Sequence, residues 1–407
     1  MNAPSLELAD VFRSLGPDSL EESGIVLSAA QRRVLRDITD CRTAALGGHL
    51  EQCNQCGHQQ IAYNSCRNRH CPKCQAGARA KWLEDRAAEI LPVGYFHVVF
   101  TLPEQLGPVA LHNKRVLYGL LFRAASETLL EIAADPKHLG TRIGFLAVLH
   151  TWGQTLQHHP HLHCVVPGGG VSLDGERWVA CRKGFFLPVK VLSRVFRGKF
   201  LAFLRQAFSE EKLVCCGQIS HLAQKGHFDQ WLAELNRIEW VVYAKPPFGS
   251  PEQVLKYLAR YTHRVAISNH RLLEFKDGRV TFSYKDYAAG NLTKTMTLET
   301  PEFTRRFLQH VLPSGFVRIR HYGFLANRDR KQKLALCRQL LKRSGQAAPC
   351  LSIQEAQAGE PGASLDRTRP KLCPVCRQET LVIVERIAAG RQASSELAGR
   401  VVMYNTS

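Results

Sequence analysis

Residues 144–170 read GFLAVLHTWGQTLQHHPHLHCVVPGGG and contain two apolar runs separated by a polar turn. The runs GFLAVLHTW and HLHCVVP each have the length of a buried strand. A turn is expected around Gln157–Pro160, and Gly168–Gly170 ends the second strand. The stretch therefore predicts two neighbouring strands of one sheet.

The second of these strands carries two histidines on one face. Side chains alternate along a strand, so His161 and His163 point the same way and Leu162 points into the core. Two imidazoles on one side of a strand can supply two ligands to a divalent metal. With 17 histidines in 407 residues, about 0.7 such motifs arise by chance. The motif alone is therefore equally compatible with two hydrogen-bonded surface histidines.

The rest of the chain alternates strands and helices irregularly. A β-rich run predicts a strand over Tyr95–Leu102, residues 109–135 and 189–208 have helical periodicity, and LLEFKDGRVTFSY predicts a hairpin turning at Asp277–Gly278. This order favours an α+β fold with a mainly antiparallel sheet over a doubly wound parallel sheet.

A cysteine-rich module precedes these elements. The string CNQCGHQQIAYNSCRNRHCPKC contains two CxxC pairs, Cys53 with Cys56 and Cys71 with Cys74. Four thiolates from two such pairs form the closed tetrahedral set of a structural zinc site. The module therefore predicts a small zinc-ribbon-like domain with these four ligands.

Other cysteines leave two questions open. Cys66 with His70, aided by Cys41 or His49, is a candidate for a second zinc ion. A C-terminal CxxC pair has no visible partner in the sequence, so it is either half of a ribbon completed by another chain or a remnant. That pair is Cys373 and Cys376.

The charge of the chain favours a polyanionic partner. Lys and Arg number 54 and Asp and Glu 35, which gives a net charge of +19. Such an excess is typical of nucleic-acid-binding proteins, although a basic globular protein with scattered charge is the alternative. Arg67 and Arg69, between the cysteines, are candidate contacts to DNA phosphates, or else part of a solvated loop.

Two tyrosines form a second pair of side chains that could take part in catalysis. Tyr257 and Tyr261 are four residues apart, which places both hydroxyls on one face of a predicted helix. Buried aromatic residues would show the same spacing. The cations Lys256, Arg260 and Arg264 beside them favour a phosphate-binding helix instead.

The histidine pair and the tyrosine pair have complementary roles in one possible reaction. A tyrosine hydroxyl has a pKa near ~10 and is a poor nucleophile at neutral pH. A metal on the histidines can polarise a phosphate that the phenolate then attacks.

Three polar side chains close in sequence to the histidine pair are candidates for a further ligand to the same metal. Gln154 is favoured because it lies across the turn from His161, with His159 and His150 as alternatives. The metal is expected to be Mg²⁺ or Mn²⁺.

Several function classes lack their motifs. There is no GxGxxG or Walker A pattern, no apolar run of about 18 residues and no signal peptide at the N-terminus. The sequence therefore predicts no nucleotide hydrolysis, no membrane partner and a cytoplasmic protein.

Taken together, the motifs HPHLH, CVVPGGG and YxxxY behind SCRNRHCPKC resemble the IS91 family of rolling-circle insertion-sequence transposases. These are HUH endonucleases (His, hydrophobic, His), and the resemblance covers residues 30–340. It implies an antiparallel sheet with flanking helices and the HUH strand at mid-sheet. It also implies His161 and His163 as metal ligands, Tyr257 and Tyr261 as nucleophiles, structural Zn²⁺ and catalytic Mg²⁺ or Mn²⁺.

The activity implied is DNA transposition. A tyrosine nicks single-stranded DNA at the element end, which gives a 5′-phosphotyrosine link and a free 3′-OH before strand transfer to a target. The site of action would be the bacterial cytoplasm, with nucleoid association on DNA. Alternatives are a relaxase or replication initiator with the same chemistry, and a non-catalytic zinc-ribbon regulator.

Three domains follow from the composition: 1–92, helical and zinc-binding; 93–345, catalytic; and 346–407, a linker and tail with the last CxxC.

Overall fold

A computed structural model describes residues 6–15, 19–75, 82, 86, 88–245, 265–287, 289–345, 372–378 and 381–390. The helices within these ranges are α1 (Leu8–Arg13), α2 (Ser19–Glu22), α3 (Ala29–Thr39), α4 (Gly107–His112), α5 (Lys114–Ala134), α6 (Val189–Ser209), α7 (Lys225–Arg237), α8 (Thr300–Leu308) and α9 (Arg330–Arg343). None of these helices is long and apolar enough to cross a membrane.

The described strands form four antiparallel sheets. They are β1 (Gly48–Cys53), β2 (Gln59–Tyr63), β3 (Tyr95–Thr101), β4 (Thr141–Arg142), β5 (Gly144–Trp152), β6 (His158–Pro167), β7 (Gly169–Ser172), β8 (Trp178–Ala180), β9 (Val242–Lys245), β10 (Leu272–Lys276), β11 (Arg279–Asp286), β12 (Leu292–Glu299), β13 (Ile319–Gly323) and β14 (Leu381–Ile387). The largest sheet has the order β13-β5-β6-β3-β9, and the others are β14-β1-β2, β10-β11-β12 and β4-β7-β8. The α+β class and the mainly antiparallel pairing are thus confirmed.

The strand with the histidine motif is the middle one of five, as the resemblance implied. Its neighbours β5 and β3 both run antiparallel to it. Leu162 is completely buried, as the alternation predicted.

Helices cover one face of this sheet. Phe96, Phe100 and Leu162 project from the strands into a core shared with α5 and α6. The ring of Phe196 on α6 packs edge-on against Phe100, with their centroids 4.9 Å apart. Because α5 and α6 each span 21 residues, they can cover the full width of the strands beneath them.

The opposite face divides into an apolar and a polar half. Tyr95, Leu146, Val148 and Val165 pack there against Trp82 and its apolar neighbours. The polar half begins where β5 and β6 reach their histidines. The histidines of this polar half are themselves largely buried, with His97, His150 and His163 all below a tenth exposed.

The N-terminal module uses a strand from the far end of the chain. β14 pairs antiparallel with β1, and β1 pairs with β2. The tail segment around β14 is therefore part of the module sheet. The domain boundaries at 92 and 345 remain predictions.

Local signals located several elements well. The helix expected over 189–208 is α6, and the expected hairpin turns at Asp277 and Gly278, which have φ of 49° and 70°. Two left-handed residues in a row are what a tight two-residue hairpin requires.

The structure differs from the expected position of one turn and does not describe one expected helix. The turn predicted at Gln157–Pro160 is wrong, because β6 already begins at His158 and the turn is closed by the Gly153 amide donating to the Gln157 carbonyl. The helix predicted around Tyr257 and Tyr261 lies outside the described residues.

Candidate metal centres and catalytic site

Three histidines converge on the polar half of the large sheet. His150 on β5 lies directly across from His161 on β6, and each of His150, His161 and His163 offers a ring nitrogen within 4.8 Å of the others. The ring centroids of His150 and His163 are 4.5 Å apart, and those of His161 and His163 are 4.8 Å apart. Paired strands therefore hold three imidazoles around one point.

Hydrogen bonds orient two of these rings. Nδ1 of His161 donates to the carbonyl of His159 at 2.6 Å, which leaves the lone pair of the ring on Nε2. Nδ1 of His163 lies 2.8 Å from Nε2 of His97 on β3. Such outer partners fix the tautomer of a metal-binding histidine and raise its basicity.

Burial stiffens the site further. His150 and His163 are 2% and 8% exposed, and the Trp152 ring stacks on His150 at 4.8 Å. Burial, with smaller contributions from Lys245 and His161, lowers the pKa of His97 to about 3. His97 is therefore neutral at physiological pH and can share one hydrogen bond with His163.

The preference for Gln154 as third ligand stays a prediction, whereas the structure places His150 beside the histidine pair and gives the Gln154 side chain other partners. A register shift between His150 and Trp152 precedes the turn that carries Gln154. The side-chain amide of Gln154 donates to the Tyr287 hydroxyl at 3.1 Å, and its carbonyl oxygen accepts from the Lys285 amide at 3.5 Å. The third position in the group belongs to His150, which sequence reasoning had kept as an alternative.

The donor set fits a divalent transition metal. Three neutral imidazoles suit Mn²⁺ and its neighbours better than Mg²⁺, which prefers oxygen ligands. The described ligands come from two strands of one sheet, so further coordination positions would be supplied by water or substrate.

The structure does not describe the segment that carries the tyrosine pair and its neighbouring cations. Tyr257, Tyr261, Lys256, Arg260 and Arg264 lie outside the described residues.

The described residues on both sides of that segment contact the histidine strands. On one side, Lys245 on β9 pairs with His97 on β3. On the other, Ala266 and Ile267 pack in one cluster with Leu156 of the β5–β6 turn. The described residues next to the segment therefore pair with β3 on one side and belong to the cluster of the β5–β6 turn on the other.

The cysteines form two groups of four rather than one. Cys71 and Cys74 group with Cys41 and Cys66, with all sulfur atoms within 4.8 Å of one another. The expected set of Cys53, Cys56, Cys71 and Cys74 is therefore wrong in its pairing. Spacing along the sequence shows which two cysteines form a CxxC pair. It does not show which other cysteines complete the group of four.

The first group has the chemistry of a metal site. Sγ of Cys74 lies 3.6 Å from that of Cys41 and 3.5 Å from that of Cys66. Hydrogen bonds from Cys41 first, and then from Cys66 and Cys71, hold the pKa of Cys74 well below its usual range. The thiol of Cys66 is the main cause that lowers the pKa of Cys41 to about 7. The other two thiols of the group, Cys66 and Cys71, have raised pKa values, mainly because of their hydrogen bonds with Cys41. A bound metal ion would therefore be needed to bring all four sulfur atoms to the thiolate form.

The second group joins the two ends of the chain. Cys53 and Cys56 group with Cys373 and Cys376. The C-terminal CxxC therefore has its partner within the same chain, which neither of the two earlier interpretations had foreseen.

The histidines expected near the zinc ions have other roles. Nε2 of His49 donates to Glu51 at 3.0 Å. Nε2 of His70 accepts from the Leu312 amide at 3.5 Å, and burial lowers the pKa of His70 to about 3. Among the described residues, neither belongs to a cysteine group.

The two arginines of the cysteine module differ in their surroundings. Arg69 donates to the Phe316 carbonyl at 2.6 Å, so it links the module to the catalytic part of the chain. Arg67 is exposed and remains a predicted phosphate contact.

Known proteins match both parts of the chain. Residues 144–333 match a family described as "Putative transposase", and residues 11–102 match one described as "Transposase zinc-binding domain". A protein of Sinorhizobium fredii named putative transposase y4qJ is 57% identical over 381 residues, which is 93% of this chain and 95% of that protein.

Two further likenesses are more distant. The transposase for insertion sequence element IS801 of Pseudomonas savastanoi pv. phaseolicola is 29% identical over 329 residues, 79% of this chain and 76% of that one. The conjugative relaxase TrwC in complex with oriT DNA is 13% identical with a TM-score of 0.22, over 61% of this chain and 71% of that structure, a likeness too low to carry an argument.

Both family matches occur in the order that the motifs had indicated, and a relative 57% identical extends along nearly the whole length. The chain belongs to the IS91 family of insertion-sequence transposases.

Proposed function

We propose that this transposase cleaves single-stranded DNA by tyrosine attack beside the metal site of His150, His161 and His163. The phenolate oxygen of Tyr257 or Tyr261 forms a bond to phosphorus, and the bond from phosphorus to the 3′ oxygen breaks. The phenolic proton passes to solvent, and the departing 3′ oxygen takes up a proton. The products are a 5′-phosphotyrosine and a free 3′-OH. In a second transfer, a 3′-OH of the target strand attacks phosphorus, the bond from phosphorus to the tyrosine oxygen breaks, the tyrosine regains its proton, and the held end is joined to the target.

The convergence of three imidazoles at the centre of the sheet carries this proposal. The hydrogen bond of His161 to the His159 carbonyl leaves Nε2 available as a ligand, and His97 positions the ring of His163. A divalent metal held there would polarise the phosphate and stabilise the charge that develops on it.

Charge supports DNA as the substrate. A net charge of +19 favours binding to the phosphate backbone. The predicted cations Lys256, Arg260 and Arg264 belong to the tyrosine segment, and Arg67 is exposed on the zinc module. The DNA would be the single-stranded ends of an element and its target, at the bacterial nucleoid.

The matched zinc-binding domain supports structural zinc. We assign this ion to Cys41, Cys66, Cys71 and Cys74, which all lie within the matched residues. A complete thiolate set leaves no open position for substrate. This zinc therefore has a structural role, and the histidine site has the catalytic one.

A covalent-adduct assay tests the tyrosine chemistry. The full-length protein is incubated with Mn²⁺ or Mg²⁺ and a labelled single-stranded element end, and protein-linked DNA is separated by denaturing electrophoresis. We expect a covalent adduct whose linked peptide contains Tyr257 or Tyr261. The double variant Tyr257→Phe/Tyr261→Phe should form none.

Tyr243 provides a matched control, because it lies on β9 shortly before the tyrosine segment and is 49% exposed. Tyr243→Phe should keep the adduct. An adduct that survives in the double variant, or that maps to Tyr243, would contradict the proposal. DNA binding without any adduct would favour the non-catalytic regulator.

A relaxase or replication initiator would give the same adduct. Substrate choice separates these functions: a transposase should cleave the two ends of its own element and join them to a target strand. Cleavage restricted to an origin of transfer or replication would favour the alternative.

A further inference from the structure

The second cysteine group lies where the two ends of the chain meet. Cys53 is the last residue of β1 and Cys56 lies in the turn to β2, whereas Cys373 and Cys376 come just before β14. The sulfur atoms of Cys56 and Cys373, 317 positions apart in the chain, are 3.6 Å apart. The matched zinc-binding domain ends at residue 102 and does not include the C-terminal pair.

The loops of the two CxxC pairs have corresponding backbone hydrogen bonds. In the first, the Cys53 amide donates to the His58 carbonyl and the Gly57 amide donates to the Cys53 carbonyl, at 2.8 and 2.9 Å. In the second, the amides of Cys373 and Arg377 donate to the carbonyls of Gln378 and Cys373, both at 2.8 Å.

A left-handed residue closes each loop at the same position. Gly57 has φ of 72° and Arg377 has φ of 58°. An arginine adopts this conformation only at a cost. The repeated loop is therefore the geometry that two CxxC pairs need to face one ion.

The sulfur geometry fits zinc rather than a disulfide. A tetrahedral site with Zn–S bonds of about 2.3 Å has S···S edges of about 3.8 Å. Cys53 and Cys376 are 3.5 Å apart, close to that edge, and none of the four cysteines forms a disulfide.

Apart from the pairing of β14 with β1, the tail has little apolar packing to hold it. The small core of sheet β14-β1-β2 contains only Leu50 and Ile61 as buried apolar residues among those described. Val382, Ile383 and Val384 on β14 are exposed. Domains with so little core need a metal or disulfide for stability.

We propose that Cys53, Cys56, Cys373 and Cys376 bind a second structural zinc ion, which fastens the C-terminal segment 372–390 to the N-terminal module. The zinc domain is then discontinuous, with the catalytic part of the chain inserted between its two halves. The family match does not assign this site. The proposal does not depend on the tyrosine chemistry.

Zinc content tests the proposal directly. Full-length protein, purified without chelator, is analysed by atomic emission beside the variant Cys373→Ser/Cys376→Ser. We expect the variant to lose one zinc ion per chain relative to the parent protein. Cys215→Ser/Cys216→Ser is the matched control because these neighbours belong to no described cysteine group, and it should keep the parent content.

A measurement on the unmodified protein covers the case of a variant that does not fold. Thiols are alkylated in the zinc-loaded protein, and peptides are quantified by mass spectrometry against the exposed Cys216. We expect Cys56 and Cys376 to be protected at least tenfold relative to Cys216. Protection should disappear when zinc is removed.

Two results would overturn the proposal. One is an unchanged zinc content in a folded Cys373→Ser/Cys376→Ser variant. The other is alkylation of Cys376 in the zinc-loaded protein at the rate of Cys216. Neither result affects the adduct assay, so failure of this site and failure of the nicking mechanism are distinguishable.

Discussion

His150 and Gln154 are four residues apart but have different surroundings. His150 is almost fully buried beside two further imidazoles, whereas the amide of Gln154 bonds to Tyr287. Loss of a residue that only hydrogen-bonds to a metal ligand already costs about 10–100-fold in activity or metal affinity. Loss of a ligand itself should cost at least as much. We therefore expect His150→Ala to lower adduct formation by about 100-fold or more, and Gln154→Ala to leave it nearly unchanged.

Initial rates of adduct formation at saturating Mn²⁺ provide this comparison. His221→Ala, on an exposed histidine of the same chain, controls for loss of an imidazole as such. The reverse order, with Gln154→Ala inactive and His150→Ala active, would restore Gln154 as the ligand.

Lys114 gives a pH dependence of stability that does not involve a metal ligand. Its ammonium donates to the carbonyls of Gln309 and Val311 at 2.8 and 3.0 Å. Burial lowers the pKa of Lys114 from 10.5 to about 8. Between pH 8 and 10.5, the unfolded chain binds this proton and the folded protein does not, so stability increases with pH.

The variant Lys114→Met removes this titration and keeps a chain of similar length. The free energy of unfolding of the parent protein should rise relative to the variant by about 2 kcal/mol across that pH window, since the half-buried ammonium keeps some hydration. Urea unfolding at pH 8 and pH 10 measures the difference. A difference between the two proteins that does not change with pH would contradict the lowered pKa.

Elements with local signals were predictable, and elements that depend on distant pairing were not. The turn at Asp277 and Gly278 needs only residues that tolerate positive φ, and these are visible in the sequence. β14 instead pairs with β1 from the other end of the chain. Sequence reasoning had placed it in a tail, because no short-range pattern encodes that partner.

The candidate site likewise combines a local sequence signal with a contact that depends on strand pairing. Alternation along β6 gave the shared face of His161 and His163. The third imidazole depended on the register between β5 and β6, which places His150 opposite His161. Register follows from packing on both faces of the sheet and from the turn, and the turn had been placed too late in the sequence.

Gly47 tests the contact between the chain ends at the level of the strand pair. Its φ is 63°, and a Cβ atom there would lie 2.5 Å from the Ile387 carbonyl oxygen and 2.8 Å from the Ala389 amide nitrogen. We expect Gly47→Ala to displace the end of β14 from β1. Hydrogen exchange of the amides in β14 should become at least tenfold faster.

Gly24→Ala is the matched control, because Gly24 has φ of 71° and nothing within 4 Å of its would-be Cβ. It also has a positive φ, which favours glycine, but an added Cβ would meet no neighbouring atom. Equal effects of the two variants on β14 would show that strain, rather than the close approach of the chain ends, is responsible.

Across the whole molecule, the proposed zinc sites and the proposed histidine site should respond differently to a chelator. Four thiolates hold zinc far more tightly than three imidazoles hold Mn²⁺. Brief chelation should therefore remove the metal from His150, His161 and His163 and leave the zinc ions in place. Cleavage should then fall by about 100-fold, which corresponds to the several kcal/mol that metal-ion catalysis supplies.

DNA binding should respond differently from cleavage. The net charge of +19 supplies the attraction to DNA. Binding should therefore survive chelation but weaken by about 10³-fold or more between 50 and 200 mM salt if at least six phosphates are contacted. Gel-shift and adduct assays on the same chelated sample separate the two properties. Cleavage that persists after chelation would remove the three histidines from the mechanism, whereas binding lost together with cleavage would mean that their metal also supports the DNA-binding surface.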